Sequence, residues 1–296
     1  MSFIPQGIIT PIITPTTADG KINEPVFRLL IRHLIDNGVH GIFTFGTTGE
    51  FYAFNTQEYK HALQLVVGEV AGKVPVYAGT NSISTKDTIR MIGIAEEIGA
   101  DAVSVLTPMF ISQTQNELYR FYETIAKSTK MPIVLYNNRP KTNVHIAPET
   151  VAKLAEIENI VAIKDSTGDM TNTAEYIRLT RHRDDFHVLV GRDTLIFAGL
   201  CYGATGAVAS CSNVAPEVAV EIYEKFKNGD MQGALKAQFK LAPLRIACNM
   251  GSFPEVIKEG LMMEGYDVGK CVDPINELPL EEKNKLKDVL RKLELV

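Results

Sequence analysis

Hydrophobic positions along this chain fall into two alternating patterns. Short runs rich in Val, Ile and Ala occupy residues 7–14, 41–45, 74–78, 102–106, 132–136, 160–164, 187–190 and 206–209. Near-continuous apolar runs of this length suit strands buried on both faces of a parallel sheet. Between them lie longer stretches with apolar residues at helical spacing, over 24–37, 56–70, 84–98, 115–127, 148–157, 172–183 and 194–201. Several open on Ser, Thr or Asn caps or on Pro. Eight such units in succession predict an α/β fold closed into a (β/α)8 TIM barrel. An open doubly wound sheet is the competing architecture, but no Gly-x-Gly-x-x-Gly follows the first strand, where a dinucleotide fold needs its phosphate turn. After residue 213 the pattern is helical throughout, over 216–228, 231–249, 254–265 and 280–293. The expected division is a catalytic barrel over residues 1–228 and a C-terminal helical subdomain over 229–296, with an exposed linker around Asp273-Pro274.

Composition narrows the class. At 296 residues and 45% hydrophobic content, the chain can bury the core of one enzyme-sized barrel. Its formal charge of −5 is mild and its basic residues are scattered, which argues against a nucleic-acid surface. The opening residues lack a basic stretch followed by an apolar core, and no uninterrupted apolar run approaches the ~20 residues of a membrane span. A cytoplasmic protein without a membrane partner is expected. Cys201, Cys211, Cys248 and Cys271 show no C-x-x-C spacing, so neither a metal site nor a disulfide framework is indicated.

A barrel gathers its chemistry at the carboxyl ends of its strands. The run Ile160-Val161-Ala162-Ile163-Lys164 ends on a lysine just before turn-forming residues, so Lys164 is placed at the end of the sixth strand. An ammonium there loses water, burial favours its neutral form, and a neutral amine can form an imine with a carbonyl substrate. The competing reading is a lysine that snorkels to solvent or pairs with Asp165 or Asp169. Strand two ends in Gly46-Thr47-Thr48-Gly49-Glu50, whose hydroxyls and backbone N–H groups suit a carboxylate, or which forms an ordinary turn. Strand five ends in Tyr136-Asn137, a phenol beside Lys164 that is either a proton shuttle or a half-buried core residue. Gly191-Arg192-Asp193 and Val208-Ala209-Ser210 end strands seven and eight, and Asp193 reads as a cap for the following helix.

Taken together, Gly46-Thr47-Thr48-Gly49-Glu50, Tyr136-Asn137 and Ile163-Lys164-Asp165-Ser166-Thr167-Gly168-Asp169 resemble the dihydrodipicolinate synthase / N-acetylneuraminate lyase family. The resemblance covers essentially the whole chain, from Thr10-Pro11 to the C-terminal helices. It implies a (β/α)8 barrel, usually a homotetramer built as a dimer of dimers, without cofactor, in which a lysine forms a Schiff base with pyruvate or another 2-oxo acid. By that resemblance Lys164 is the imine-forming lysine, Tyr136 the proton-transfer phenol and Thr47 its relay. Thr48 and Gly46 belong to the loop that holds the substrate carboxylate, and the Val208 carbonyl faces the bound pyruvate.

Three departures bear on substrate. The family's synthases follow Tyr-Asn with Val-Pro-x-Arg-Thr-Gly, whose arginine holds the carboxylate of the aldehyde; here Lys141 stands at that position, and Arg139 lies two residues earlier. A lysine attracts a carboxylate but lacks the planar two-bond fork. Phe110 stands where the family has a tyrosine reaching into the adjacent subunit's site. Phe51, Tyr52, Thr56 and Tyr59 do not reproduce the surface resembling a lysine-inhibition site, so feedback inhibition by lysine is not expected. The reading is a Schiff-base lyase or aldolase acting on pyruvate or a 2-keto-3-deoxy sugar acid, by C–C cleavage, condensation or dehydration. The alternatives are the synthase that condenses pyruvate with aspartate semialdehyde, and a non-catalytic protein that binds a 2-oxo acid.

Overall fold

The computed structural model describes residues 3–296. Eight strands, β1 (Gly7–Pro11), β2 (Gly41–Thr44), β3 (Val76–Gly79), β4 (Ala102–Leu106), β5 (Ile133–Asn137), β6 (Ile160–Asp165), β7 (His187–Val190) and β8 (Gly206–Val208), pair in parallel and in sequence order into a closed barrel. Closure is made by β8 against β1, with Ile9 opposite Val208. The doubly wound alternative is thereby excluded. Around the barrel run α1 (Glu24–Asp36), α2 (Thr56–Val70), α3 (Thr85–Ile98), α4 (Gln115–Lys127), α5 (Arg139–Thr142), α6 (Pro148–Leu154), α7 (Met170–Thr180), α8 (Ile196–Tyr202) and α9 (Pro216–Lys227). Three more helices follow, α10 (Met231–Ala247), α11 (Glu255–Met263) and α12 (Leu280–Lys292).

Local chemistry sets the boundaries. Capping boxes of Asn55 with Glu58 and Thr114 with Glu117 start α2 and α4 by satisfying orphan N–H groups. Asp169 accepts from the N–H groups of Thr171 and Asn172, so α7 begins at Met170 rather than at the expected 172. The first strand stops at Pro11, short of the expected 14, where the Asn213 side chain takes over the next backbone groups, its Nδ2 donating to the Pro11 carbonyl at 3.0 Å and its Oδ1 accepting from the Ile13 N–H at 3.1 Å. Pro75 delays β3 to Val76, whose N–H instead donates to Asp101 Oδ2 at 2.8 Å. β5 and β6 each run one residue past the expected end, so Tyr136 and Lys164 are penultimate rather than terminal. The four-residue α5 was not expected, being too short to show a period.

Strand alternation sorts side chains into two layers. One residue per strand, from Ile9 on β1 through Val134 on β5 to Val208 on β8, packs the barrel's interior. The opposite face of each strand packs against the helices in a second, larger core that also takes in Leu241 and Leu244 of α10 and Leu286 and Leu290 of α12. Each such buried leucine contributes about 1.5–3 kcal/mol relative to an exposed one. The C-terminal helices are thus held to the barrel by a shared apolar core. Among the described residues no helix is long and apolar enough to cross a membrane.

Candidate active site

Val134 and Ala162 belong to the interior layer, so Tyr136 and Lys164, two residues further along β5 and β6, face the same interior nearer its C-terminal mouth. They are also direct register partners. The sequence therefore dictates their meeting once the barrel closes. Lys164 is 4% exposed, and its Nζ lies 3.9 Å from the centroid of the Tyr136 ring and 4.7 Å from that of Phe43. No carboxylate among the described residues forms a salt bridge with it.

Neither acid weighed as a partner for Lys164 is available to it. Asp165 points to the opposite face of β6, where it accepts from Asn137 Nδ2 at 3.2 Å, Asn172 Nδ2 at 3.0 Å, Thr173 Oγ1 at 2.7 Å and the Thr167 N–H at 3.2 Å. Asp169 caps α7. Burial holds the Lys164 amine below its ordinary value; the nearby Tyr136 and Asp193 oppose that shift without reversing it.

The Tyr136 hydroxyl lies 3.2 Å from Thr47 Oγ1 and accepts from Asn138 Nδ2 at 2.9 Å. Burial pushes this phenol up, but the Lys164 charge and hydrogen bonding from Thr47, Lys164 and Ser166 outweigh it and hold the phenol below its ordinary value. Lysine and tyrosine thus lie side by side, each held below its ordinary value. Loop geometry follows from two glycines. A Cβ at Gly49 would meet the Ile12 carbonyl and Phe45 N at 3.1 Å, and one at Gly191 would lie 2.1 Å from Ser166 Oγ. The N–H groups of Thr47 and Thr48 donate to no protein acceptor among the described residues.

Above Lys164 opens a cavity of about 430 Å³, lined by Thr47, Thr48, Tyr136, Lys141, Lys164 and Val208 among others. Gly46 and Arg139 do not line it. Gly46 is buried against the Phe43 ring, and Arg139 is exposed at the start of α5. Phe110 is 90% exposed, on the loop after β4 and outside the cavity. Asp193 does not cap the following helix, as the sequence suggested. Its buried carboxylate accepts from the Cys211 N–H at 2.7 Å and Ser210 Oγ at 3.1 Å and pairs with Arg245 at 3.5 Å.

The sequence reading missed several lining residues. Asn138 directly follows β5, and Arg192, named from the sequence only as part of the end of strand seven, lies two residues past β7, positions that themselves point to the mouth. Arg245, Cys248, Asn249 and the 251–253 segment come from the end of α10 and beyond, where helical periodicity gives no hint of a site. Among the described residues, no group of three His, Cys, Asp or Glu is placed to hold a metal.

A (β/α)8 barrel with a buried, unpaired lysine beside a phenol at its C-terminal mouth defines the class of Schiff-base lyases, the class I aldolase type. Comparison with known proteins agrees. The Dihydrodipicolinate synthetase family pattern matches residues 4–293. A 4-hydroxy-tetrahydrodipicolinate synthase of Thermodesulfovibrio yellowstonii is 38% identical over 291 residues, covering 98% of this chain and 99% of that one. The Methanopyrus kandleri protein of the same name is 37% identical over 298 residues, 100% of this chain and 99% of its own. Among solved structures, a prophage protein of the dihydrodipicolinic acid synthase family from E. coli K12, in complex with pyruvate, superposes with a TM-score of 0.95 at 32% identity, over 98% of this chain and 99% of that one. The Thermotoga maritima dihydrodipicolinate synthase superposes with a TM-score of 0.96 at 31% identity, over 98% and 99% of the two chains. The chain belongs to the dihydrodipicolinate synthetase family and is a lyase of the Schiff-base type.

Proposed function

We propose that Lys164 forms an imine with pyruvate or another 2-oxo acid, and that the enzyme makes or breaks the C3–C4 bond of a 2-keto-3-deoxy acid. The observation that carries this reading is the amine of Lys164, buried, unpaired and held towards its neutral form at the foot of the cavity. The neutral amine adds to the C2 carbonyl to give a carbinolamine. Tyr136, relayed by Thr47, delivers the proton with which the hydroxyl leaves as water, giving the protonated imine. In cleavage, the C4 hydroxyl loses its proton, the C3–C4 bond breaks, and its electron pair passes into the imine as an enamine while an aldehyde departs. Condensation runs the same steps backwards. The free N–H groups of Thr47 and Thr48 would hold the C1 carboxylate, and the Val208 carbonyl would lie against the bound pyruvate. No cofactor is needed, because the lysine imine is the electron sink. On the grounds of family resemblance we also read the enzyme as a cytoplasmic homotetramer, and because Phe51, Tyr52, Thr56 and Tyr59 depart from the lysine-inhibition surface we read it as one that lysine does not inhibit.

A second reading, condensation of pyruvate with aspartate semialdehyde, is favoured by the name that the curated relatives share. One coupled panel separates the two: condensation with aspartate semialdehyde against cleavage and dehydration of several 2-keto-3-deoxy acids. The first reading expects a 2-keto-3-deoxy acid to have the highest kcat/KM. A large margin for aspartate semialdehyde would replace it with the second.

A further inference from the structure

The charge of the cavity is out of keeping with the chain. The protein as a whole carries a formal charge of −5, yet Lys141, Lys164, Arg192 and Arg245 line the cavity and no Asp or Glu does. Lys164 is accounted for by the imine. Arg192 and Arg245 are not, and they come from separate elements, one from the loop after β7 and one from α10. Arg245 is 11% exposed and anchored on Asp193, with Nε 3.5 Å from Oδ2, and forms no other salt bridge among the described residues. Arg192 has no salt bridge among the described residues; its side chain lies across Gly168, where a Cβ would meet its Nε at 3.1 Å. A half-buried guanidinium with neither a carboxylate nor full hydration is costly unless a ligand supplies the counter-charge.

We infer that Arg192 and Arg245, with Lys141 at the rim, form a clamp for a second anionic group on the substrate, at the end remote from the imine carbon. The inference rests on the reading of Lys164 as the imine former and narrows its substrate: the aldehyde half carries a carboxylate or a phosphate ester. The planar fork of arginine suits either group by paired N–H bonds. Burial, and then the neighbouring Arg245, disfavour the charged form of Arg192, the condition an anion would relieve. The arginine that the family's synthases carry after Tyr-Asn is replaced here by Lys141, so the arginines of this clamp stand on the loop after β7 and on α10, with only a lysine left after β5.

The test pairs pyruvate with three aldehydes: aspartate semialdehyde for carboxylate, glyceraldehyde 3-phosphate for phosphate and glyceraldehyde for neither. The wild type is expected to favour at least one anionic aldehyde over glyceraldehyde in kcat/KM, and which one it favours identifies the anion. Arg192→Gln should cut that preference about 10–100-fold, the worth of a charged hydrogen bond, mainly through KM of the anionic aldehyde. Arg192→Lys should restore part of it. A wild type that prefers glyceraldehyde, or a preference unchanged in Arg192→Gln, overturns the clamp. Borohydride trapping of pyruvate on the wild type separates the two levels. Trapping with no arginine effect removes the clamp alone, whereas no trapping at Lys164 removes the imine reading with it.

Discussion

Lys164 sits between opposed influences. Two aromatic faces and the nearby Tyr136 and Asp193 favour its ammonium, while the loss of water disfavours it, and the loss of water prevails. The amine is therefore neutral over a range where a surface lysine is charged. The rate of imine formation should rise with pH through the lowered value of Lys164, since only the neutral amine attacks. Tyr136 raises the Lys164 value, so Tyr136→Phe should move the acid limb to lower pH while slowing turnover about 10²–10⁴-fold through loss of the proton shuttle. Both are read from pH profiles of kcat and of imine trapping; an unchanged rate and limb would make Tyr136 a packing residue. Lys164 was legible in the sequence because an apolar run ended on a charge. Its lack of a carboxylate partner was not, since that depends on Asp165 facing away and Asp169 being used as a cap.

At the scale of elements, the loop of residues 46–50 after β2 is fastened to the C-terminal region by a buried ion pair. Lys258 of α11 and Glu50 are both fully buried, 2.6 Å apart. Lys258 also donates to the Lys270 carbonyl at 2.8 Å, and Glu50 accepts from the Val272 N–H at 2.7 Å. Glu50 adopts a left-handed conformation, φ 52°, that a non-glycine residue holds only with such support. Breaking one partner leaves an uncompensated buried charge, so Lys258→Met should destabilise the protein by about 3–5 kcal/mol in denaturant unfolding. Pairing it with Glu50→Gln should recover part of the loss. A Lys258→Met variant as stable as the wild type would show that the pair contributes little. The strands and long helices were legible because packing enforces their periods. The Asp193 contacts were not, because a carboxylate after a strand reads as a cap until α10 brings Arg245 and Gln238 to it; Gln238 Nε2 donates to the Asp193 carbonyl at 2.8 Å.

Across the whole molecule, the closed parallel barrel carries the lysine and the phenol on neighbouring strands and the loop of residues 46–50 at the end of β2, and the C-terminal helices supply part of the cavity wall. That topology was legible from eight apolar runs in succession. The wall was not, because the residues after α9 show only helical spacing, and nothing in that spacing says which barrel end they cover. The central claim is that Lys164 is the imine-forming nucleophile. Its most direct measurement is incubation with pyruvate and borohydride followed by peptide mass mapping of the wild type and Lys164→Ala. The account predicts one pyruvate-derived adduct, on the peptide containing Lys164, and neither adduct nor turnover in Lys164→Ala. An adduct on another lysine, or substantial turnover by Lys164→Ala, would contradict it.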